Sequence, residues 1–249
     1  MHVDSYGTGH CETIVFLHGA HLVHSFYPEY VLREDFQLLI PHIMGFGEER
    51  HRIFDTETCL CELRTFLKTL TPPVTLVGFS LGAQLAYALL CDPIPVCSGA
   101  VLISPMLFKT RQELEKLERL DRKSGQALKK GTFSNLGGLI RSLPDPFRET
   151  FLRDLAEEQP ETAKRMIFNP ICLSEDSLFA KSPVPVLALA GAWEPESTKN
   201  SVRSLARLNP LCQYEIWENA AHNIPTAHAE RLIATIRRFL SEKNKTLNV

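Results

Sequence analysis

The sequence lacks several features that mark particular classes of protein. Its 27 lysines and arginines are balanced by 29 acidic residues, and the net charge is -2. Nucleic acids and anionic membranes bind basic faces, so neither is expected as a partner. No apolar run approaches the roughly 20 residues that span a bilayer, and the polar start MHVDSYGTGHCE has no basic-then-apolar signal. These absences predict a cytoplasmic protein.

Cysteine and histidine patterns give little sign of a metal site. The seven cysteines are an odd number and contain no zinc-like C-x-x-C pairs, which indicates reduced thiols. His18, His21 and His24 have a spacing that metal ligands can have, but no nearby acid or cysteine completes the set. The sequence therefore predicts no metal and no other cofactor.

The 249 residues instead show short apolar runs alternating with helical patterns. This alternation is typical of an α/β fold, in which a mostly parallel sheet is flanked by helices. The predicted strands are 13–17, 36–41, 74–79, 99–104, 184–190 and 213–217. The predicted helices lie near 55–70, 81–91, 198–207 and 226–240.

One segment, residues 106–181, interrupts this alternation with charged amphipathic stretches and no clear strand. Insertions at the carboxyl ends of strands overhang the ligand crevice of an open α/β sheet. We therefore interpret residues 106–181 as a helical cap or lid, and residues 1–105 with 182–249 as the core. A second independent domain is the alternative, but the segment has few large apolar residues for its length.

A candidate nucleophile follows the strand VTLVGF. Gly78-Phe79-Ser80-Leu81-Gly82 forms a G-x-S-x-G motif at a strand-to-helix turn. Such a turn strains the serine backbone and needs small neighbours where helix and strand pass closely. The hydroxyl then lies at a helix N-terminus, where amides and dipole favour a developing oxyanion. The alternative is a structural serine that caps the helix.

Two further loops provide candidates for an oxyanion hole and a base. His18-Gly19-Ala20 follows the strand TIVFL, so the backbone amides of Ala20 and Leu81 could converge on one carbonyl oxygen. His222 lies between the last predicted strand and the last helix, where a triad base is expected. His228 is the alternative, but it falls inside the helical pattern.

The loop GAWEPES at 191–197 holds two glutamates and no aspartate. Either Glu194 or Glu196 could be the acid that orients the base, and either could be an ordinary solvated carboxylate. A glutamate suffices chemically, because the acid orients the imidazole and stabilises its protonated form.

Together, HGA, the GFSLGA turn, the inserted segment, SPVPVLALAG and AAHNIP resemble the α/β-hydrolase superfamily, in particular its capped esterase-like members. The resemblance covers nearly the whole chain and implies an α/β-hydrolase fold with a helical cap after the sixth core strand. Family members carry a G-x-x-D loop here, which places Glu194 in the acid slot, 222 − 194 = 28 residues before His222. His42 replaces a usual loop aspartate in PHIMGFG, and the usual edge strands before TIVFL are reduced.

The resemblance implies a serine hydrolase that cleaves a small carboxylic ester or thioester through an acyl-enzyme on Ser80. Two alternatives stay open: a triad-dependent C–C hydrolase, lyase or acyltransferase, and a non-catalytic ligand-binding protein of this fold. The expected partner is a small acyl substrate. Phe79, Trp193 and Ile224 are candidate pocket residues because they lie beside the proposed catalytic positions, and His42 is a further candidate because it stands in place of the loop aspartate.

Overall fold

Seven strands in the described residues form one sheet, which positions every candidate site residue. The structure is a computed structural model that describes residues 1–109, 111–129, 143–157 and 159–247. The strands are β1 (Val3–Tyr6), β2 (Thr13–Leu17), β3 (Gln37–Pro41), β4 (Val74–Phe79), β5 (Cys97–Ile103), β6 (Val186–Gly191) and β7 (Cys212–Trp217). Their order across the sheet is β1-β3-β2-β4-β5-β6-β7.

The sheet is parallel except at one edge, as the alternation of strand and helix predicts. β2 to β7 run parallel, and β1 pairs antiparallel with β3, with Val3 opposite Pro41. The central strands β2, β4 and β6 are buried along their whole length, since helices cover both faces of a parallel sheet. The carboxyl ends of the parallel strands β2, β4, β5 and β6 therefore lie side by side.

Helices surround this sheet at nearly the predicted places. They are α1 (Thr56–Leu67), α2 (Leu81–Leu90), α3 (Arg111–Lys129), α4 (Asp145–Glu157), α5 (Pro160–Ile167), α6 (Glu196–Leu208), α7 (Ile224–Ala227) and α8 (Ala229–Leu247). Short 3₁₀ helices occupy Tyr27–Glu34, Gly47–Glu49 and Leu178–Lys181. Asp55 caps α1 by accepting a hydrogen bond from the Thr58 backbone N–H at 2.9 Å. No helix in the described ranges is both long and apolar enough to cross a membrane.

The inserted segment, residues 106–181, contains helices and no strand where the structure describes it, with irregular stretches at 106–109 and 168–177. It contributes α3, α4 and α5, and α3 packs against the other two. The segment follows β5, the fifth strand of this chain rather than a sixth, because β1 is the one described strand before β2. Residues 110, 130–142 and 158 of the predicted cap lie outside the described residues.

Candidate active site

Ser80 lies at the sharp turn that the G-x-S-x-G motif predicts. Its backbone has φ +53° and ψ −112°, a conformation that L-residues rarely adopt. A Cβ on Gly82 would lie 1.9 Å from the Leu17 carbonyl oxygen, and one on Gly78 would lie 2.5 Å from the Gly82 carbonyl oxygen. Both glycines are therefore required where α2 crosses the strand ends, and this crossing places Ser80 above the sheet.

Three predicted residues meet in one chain of hydrogen bonds. His222 Nε2 lies 3.1 Å from Ser80 Oγ, and His222 Nδ1 lies 2.8 Å from Glu194 Oε1. These residues follow β4, β7 and β6, whose parallel strands end at the same edge of the sheet. The arrangement joins a hydroxyl, an imidazole and a carboxylate in the order that general-base activation of a nucleophile requires.

The Glu194 carboxylate is buried and fully engaged. Its Oε2 accepts hydrogen bonds from the Gly191 backbone N–H at 2.7 Å and from the Ser104 hydroxyl at 2.8 Å. Burial alone would raise the pKa of this carboxyl, but the hydrogen bond and charge of His222, with the Gly191 and Ser104 donors, hold the pKa below its ordinary value. Glu194 is therefore held as an anion facing the imidazole.

Glu196, the competing glutamate, lies outside this network. It begins α6, and its exposed carboxylate pairs with Lys199 at 2.6 Å and with Arg203 at 3.2 Å. An acidic residue in the first turn of a helix also interacts favourably with the helix dipole. Glu196 therefore has the contacts of a surface residue at the start of a helix.

Backbone strain concentrates around the candidate site. In the described residues, four non-glycine residues have positive φ, and each follows the carboxyl end of a parallel strand: His21, Ser80, Ser104 and Asn219. Strained backbone of this kind persists where surrounding structure holds it, and it is frequent at functional sites. Ser104 is a site residue that sequence reasoning missed. Its position at the end of the predicted strand GAVLIS is visible in the sequence, but that position does not reveal its contact with Glu194.

Ala20 and Leu81 both line the cavity above Ser80. Leu81 is the first residue of α2, so its N–H has no acceptor within the helix. Within the part of the chain that the structure describes, neither backbone N–H donates a hydrogen bond. Both residues therefore bring an unengaged N–H group to the wall of the cavity that Ser80 lines, and backbone N–H groups are donors of the kind found in oxyanion holes.

The cavity in front of Ser80 has a volume of about 460 Å³. One wall comes from the core and the other from α3 and α5 of the inserted segment, which contribute mostly apolar side chains. Its lining residues are Ala20, His21, Ser80, Leu81, Gln84, Met106, Leu117, Leu120, Met166, Ile167, Glu194, Pro195, Thr198 and His222. Such a cavity suits a small, largely apolar molecule with a few polar groups.

The four pocket candidates from the sequence do not line this cavity. Trp193 is 69% exposed to solvent, and Ile224 is fully buried. The Phe79 ring packs 5.1 Å from the His222 imidazole, measured between ring centroids. Sequence adjacency failed as a guide here because neighbouring residues in tight turns point in different directions.

His42, the fourth candidate, stabilises a loop instead of facing the cavity. Its Nδ1 accepts a hydrogen bond from the Glu48 backbone N–H at 2.9 Å, and its Nε2 lies 3.0 Å from Asp4 Oδ2. His42 therefore supplies loop hydrogen bonds at the position where the resemblance implies an aspartate. His2, Asp4 and His42 have potential metal-ligating atoms within 4.8 Å of one another. Because Nδ1 is an acceptor, Nε2 of His42 carries the hydrogen and donates it to Asp4, which disfavours metal binding there.

Comparison with known proteins identifies the family. The alpha/beta hydrolase family model matches residues 14–235, and the chain belongs to this family. No curated protein matches the sequence at a significant level.

Solved structures support the same fold at low sequence identity. A carboxylesterase from Nitrososphaera gargenis has a TM-score of 0.78 and 15% identity, covering 98% of this chain and 95% of that one. A thermophilic esterase from Thermogutta terrifontis has a TM-score of 0.73 and 21% identity, covering 97% and 93%. MenH from S. aureus has a TM-score of 0.74 and 17% identity, covering 98% and 99%. At these identities the likeness shows the fold alone, and the chain is a member of a hydrolase family whose reaction must be argued from its site.

Proposed function

We propose that this protein is a serine hydrolase that cleaves small carboxylic esters or thioesters through an acyl-enzyme on Ser80. The observation that carries the proposal is the hydrogen-bonded chain Ser80–His222–Glu194 at the wall of a largely apolar cavity. The esterases among structures of the same fold are consistent with it.

The proposed first step is attack by Ser80 on the substrate carbonyl carbon. His222 Nε2 takes the hydroxyl proton as the new C–O bond forms, and the carbonyl π electrons move onto oxygen. The N–H groups of Ala20 and Leu81 stabilise that oxyanion. Collapse of the tetrahedral intermediate breaks the bond to the leaving alcohol or thiol, which receives the proton from His222. Water then repeats the sequence and releases the acid from Ser80.

Glu194 is proposed to orient His222 and to stabilise its protonated form. Its Oε1 accepts from Nδ1, so the proton stays on Nδ1 and Nε2 is left free to accept from Ser80. Gly191 and Ser104 donate to Oε2 and hold the longer glutamate side chain in this position.

We also propose that residues 106–181 act as a cap on the core formed by 1–105 and 182–249. Leu117 and Leu120 of α3 and Met166 and Ile167 of α5 form the cavity wall opposite Ser80. This placement makes the inserted segment the main determinant of which acyl groups fit.

Labelling and turnover together test the proposal. A fluorophosphonate should label the wild-type protein at Ser80, and p-nitrophenyl esters of short acids should be hydrolysed. Ser80→Ala should abolish labelling and lower kcat by at least about 10³-fold, because the attacking oxygen is removed. The structure would be checked by circular dichroism, since Ser80→Ala must retain the strained turn.

Absence of both labelling and turnover in a folded wild-type protein would contradict the proposal. Labelling without ester or thioester turnover would instead direct attention to other acyl or C–C chemistry at the same serine. Product analysis with added alcohol or amine acceptors then separates hydrolysis from acyl transfer.

A further inference from the structure

A buried amide on α2 offers hydrogen-bond donors to the cavity. Gln84 is 4% exposed, lines the cavity, and lies in the first turn of α2, whose N-cap is Ser80. The Gln84 backbone N–H donates to the Ser80 backbone oxygen at 3.1 Å, which closes that turn. Gln84 and the nucleophile therefore line the same cavity, one helical turn apart in the chain.

The orientation of the Gln84 amide is set by a chain of partners. Asn169 Oδ1 accepts from the Lys109 ammonium at 2.7 Å and from the Ile171 backbone N–H at 3.0 Å. Both groups are donors, so this atom of Asn169 is the oxygen and the other is the nitrogen. Asn169 Nδ2 then donates to Gln84 at 2.9 Å, which makes that Gln84 atom the oxygen Oε1.

The remaining end of the Gln84 amide is its NH₂ group. Within the described residues, Gln84 Nε2 has no hydrogen-bond partner. It does not belong to the unpartnered polar atoms that are fully buried, so it keeps some accessible surface. A half-satisfied buried amide is costly unless water or a ligand supplies the acceptor. The cavity-facing position of Gln84 allows a bound substrate to supply it.

The charges around the cavity define what kind of acceptor fits. Its described lining holds no lysine or arginine, and it does hold the Glu194 carboxylate. The nearby Lys109 ammonium already has partners, because it donates hydrogen bonds to the backbone oxygen and to the side-chain oxygen of Asn169. An anionic acceptor would lie in this cavity without a compensating cation, so a neutral carbonyl oxygen is the favoured partner.

We propose that Gln84 is a specificity-determining residue that selects esters whose acyl chain carries a second, neutral carbonyl group. This inference rests on the proposed function, because the acyl group is the part that stays bound to Ser80 through both steps. Three bonds span about 3.8 Å, as between consecutive Cα atoms. A carbonyl at the fourth or fifth acyl carbon is therefore about 4 to 5 Å from the ester carbon, which is comparable with the 5.4 Å pitch of one helical turn.

Matched esters test the proposal. The ratio of kcat/KM for p-nitrophenyl 4-oxopentanoate over p-nitrophenyl pentanoate is measured for wild type and Gln84→Met, with 5-oxohexanoate over hexanoate as a second pair. Gln84→Met keeps the side-chain length and removes the donors. It should lower the ratio of at least one pair about 5- to 10-fold, the value of one neutral hydrogen bond. A general loss of activity affects both esters of a pair and therefore cancels in their ratio. The intrinsic reactivities of the two esters cancel when the ratio of the variant is compared with the ratio of wild type.

Two further variants separate orientation from mere polarity. Asn169→Asp presents an acceptor to Gln84, so the amide must turn its oxygen toward the cavity; the ratio should fall although Gln84 is intact. Thr198→Val removes the hydroxyl of another buried residue of the cavity lining and should leave the ratio unchanged. Equal ratios in wild type and Gln84→Met, for both pairs, would overturn the proposal, as would an equal loss in Thr198→Val.

A binding measurement keeps this test independent of turnover. Dissociation constants for methyl 4-oxopentanoate and methyl pentanoate are compared in Ser80→Ala with and without Gln84→Met. Preference for the oxo ester that disappears with Gln84→Met supports the proposal even if wild type hydrolyses neither ester. No preference in Ser80→Ala, together with normal ester turnover by wild type, would reject the role of Gln84 and leave the proposed hydrolase intact.

Discussion

At the scale of single residues, the two oxygens of Glu194 have different partners. Oε2 faces two donors, the Gly191 N–H and the Ser104 hydroxyl, and Oε1 faces the His222 ring. In Glu194→Gln the amide oxygen should stay with the two donors, so the NH₂ group turns toward Nδ1. The imidazole must then carry its proton on Nε2, facing Ser80, and can no longer accept the hydroxyl proton.

We therefore expect Glu194→Gln to lower kcat by about 10²- to 10⁴-fold with little change in the unfolding midpoint. Glu196→Gln is the matched control two residues along the loop, and it should change kcat less than 2-fold. Steady-state rates on the same p-nitrophenyl ester make the comparison. A larger loss in Glu196→Gln than in Glu194→Gln would move the acid to the second glutamate.

Sequence reasoning placed Ser80, Glu194 and His222 because each follows a recognisable strand at a characteristic spacing. Ser104 and Gln84 were missed for a physical reason. Their partners lie 90 and 85 residues away along the chain, and no local pattern records such contacts. Phe79, Trp193 and Ile224 were unreliable pocket candidates for the same reason, since they were chosen as neighbours in sequence.

At the scale of elements, the buried parallel strands were predictable and the edge was not. β2 and β4 match their predicted ranges, because fully buried strands are continuous apolar runs. β1 was not identified. It is a four-residue edge strand, VDSY, with no buried position, and its pairing with β3 depends on contacts remote in sequence.

The contact between α4 and the core has a titratable group at its centre. Asp154 of α4 is 1% exposed and accepts a hydrogen bond from the Gly47 backbone N–H at 2.8 Å. Its Oδ1 has no hydrogen-bond partner among the described residues. Burial raises the pKa of Asp154 to about 6, against the opposing effect of the Gly47 N–H and nearby cations.

Because the folded-state pKa of Asp154 exceeds its ordinary value, the folded protein binds more protons than the unfolded chain between about pH 4 and pH 6. Its contribution to stability is complete below that range and is lost as pH rises through it. Asp154→Asn removes the charge and keeps an acceptor for Gly47. From pH 4 to pH 7.5, the unfolding free energy of Asp154→Asn should rise relative to wild type by about 2 kcal/mol.

Urea unfolding at several pH values measures this difference. Asp145→Asn is the control, because Asp145 begins the same helix with its carboxylate 79% exposed. The control should show little pH-dependent difference from wild type. A pH-independent difference for Asp154→Asn would mean that Asp154 does not bury a charge at the junction of α4 and the core.

At the scale of the whole molecule, the carboxyl edge of the sheet, formed by the carboxyl ends of the parallel strands, has a different role from the amino edge, formed by their amino ends. The carboxyl edge carries the strained loops and the candidate site. At the amino edge, the buried Lys243 of α8 donates to the Thr75 hydroxyl at 2.5 Å and to the Ser98 hydroxyl at 2.8 Å, and it lies 2.7 Å from Glu12 Oε1 as an ion pair. One side chain thus joins the last helix to β4, to β5 and to the residue before β2.

Lys243→Met should therefore destabilise the fold and spare the chemistry. Removing the ammonium leaves the Glu12 carboxylate unpaired and two hydroxyls without their donor, which should cost about 3 kcal/mol of unfolding free energy. Thr75 lies five residues before Ser80 along β4, about 16 Å at the rise of a strand. At a temperature well below the unfolding midpoint, kcat should stay within 2-fold of wild type.

Thermal and urea unfolding measure the first effect, and ester turnover measures the second. Lys68→Met is the control, because Lys68 is exposed at the end of α1 and its loss should leave both quantities nearly unchanged. An unaltered unfolding midpoint in Lys243→Met would show that the buried ion pair does not hold the amino edge. A large loss of kcat in folded Lys243→Met would contradict the separation of the two edges, because Lys243 contacts β4 at Thr75, about 16 Å from Ser80.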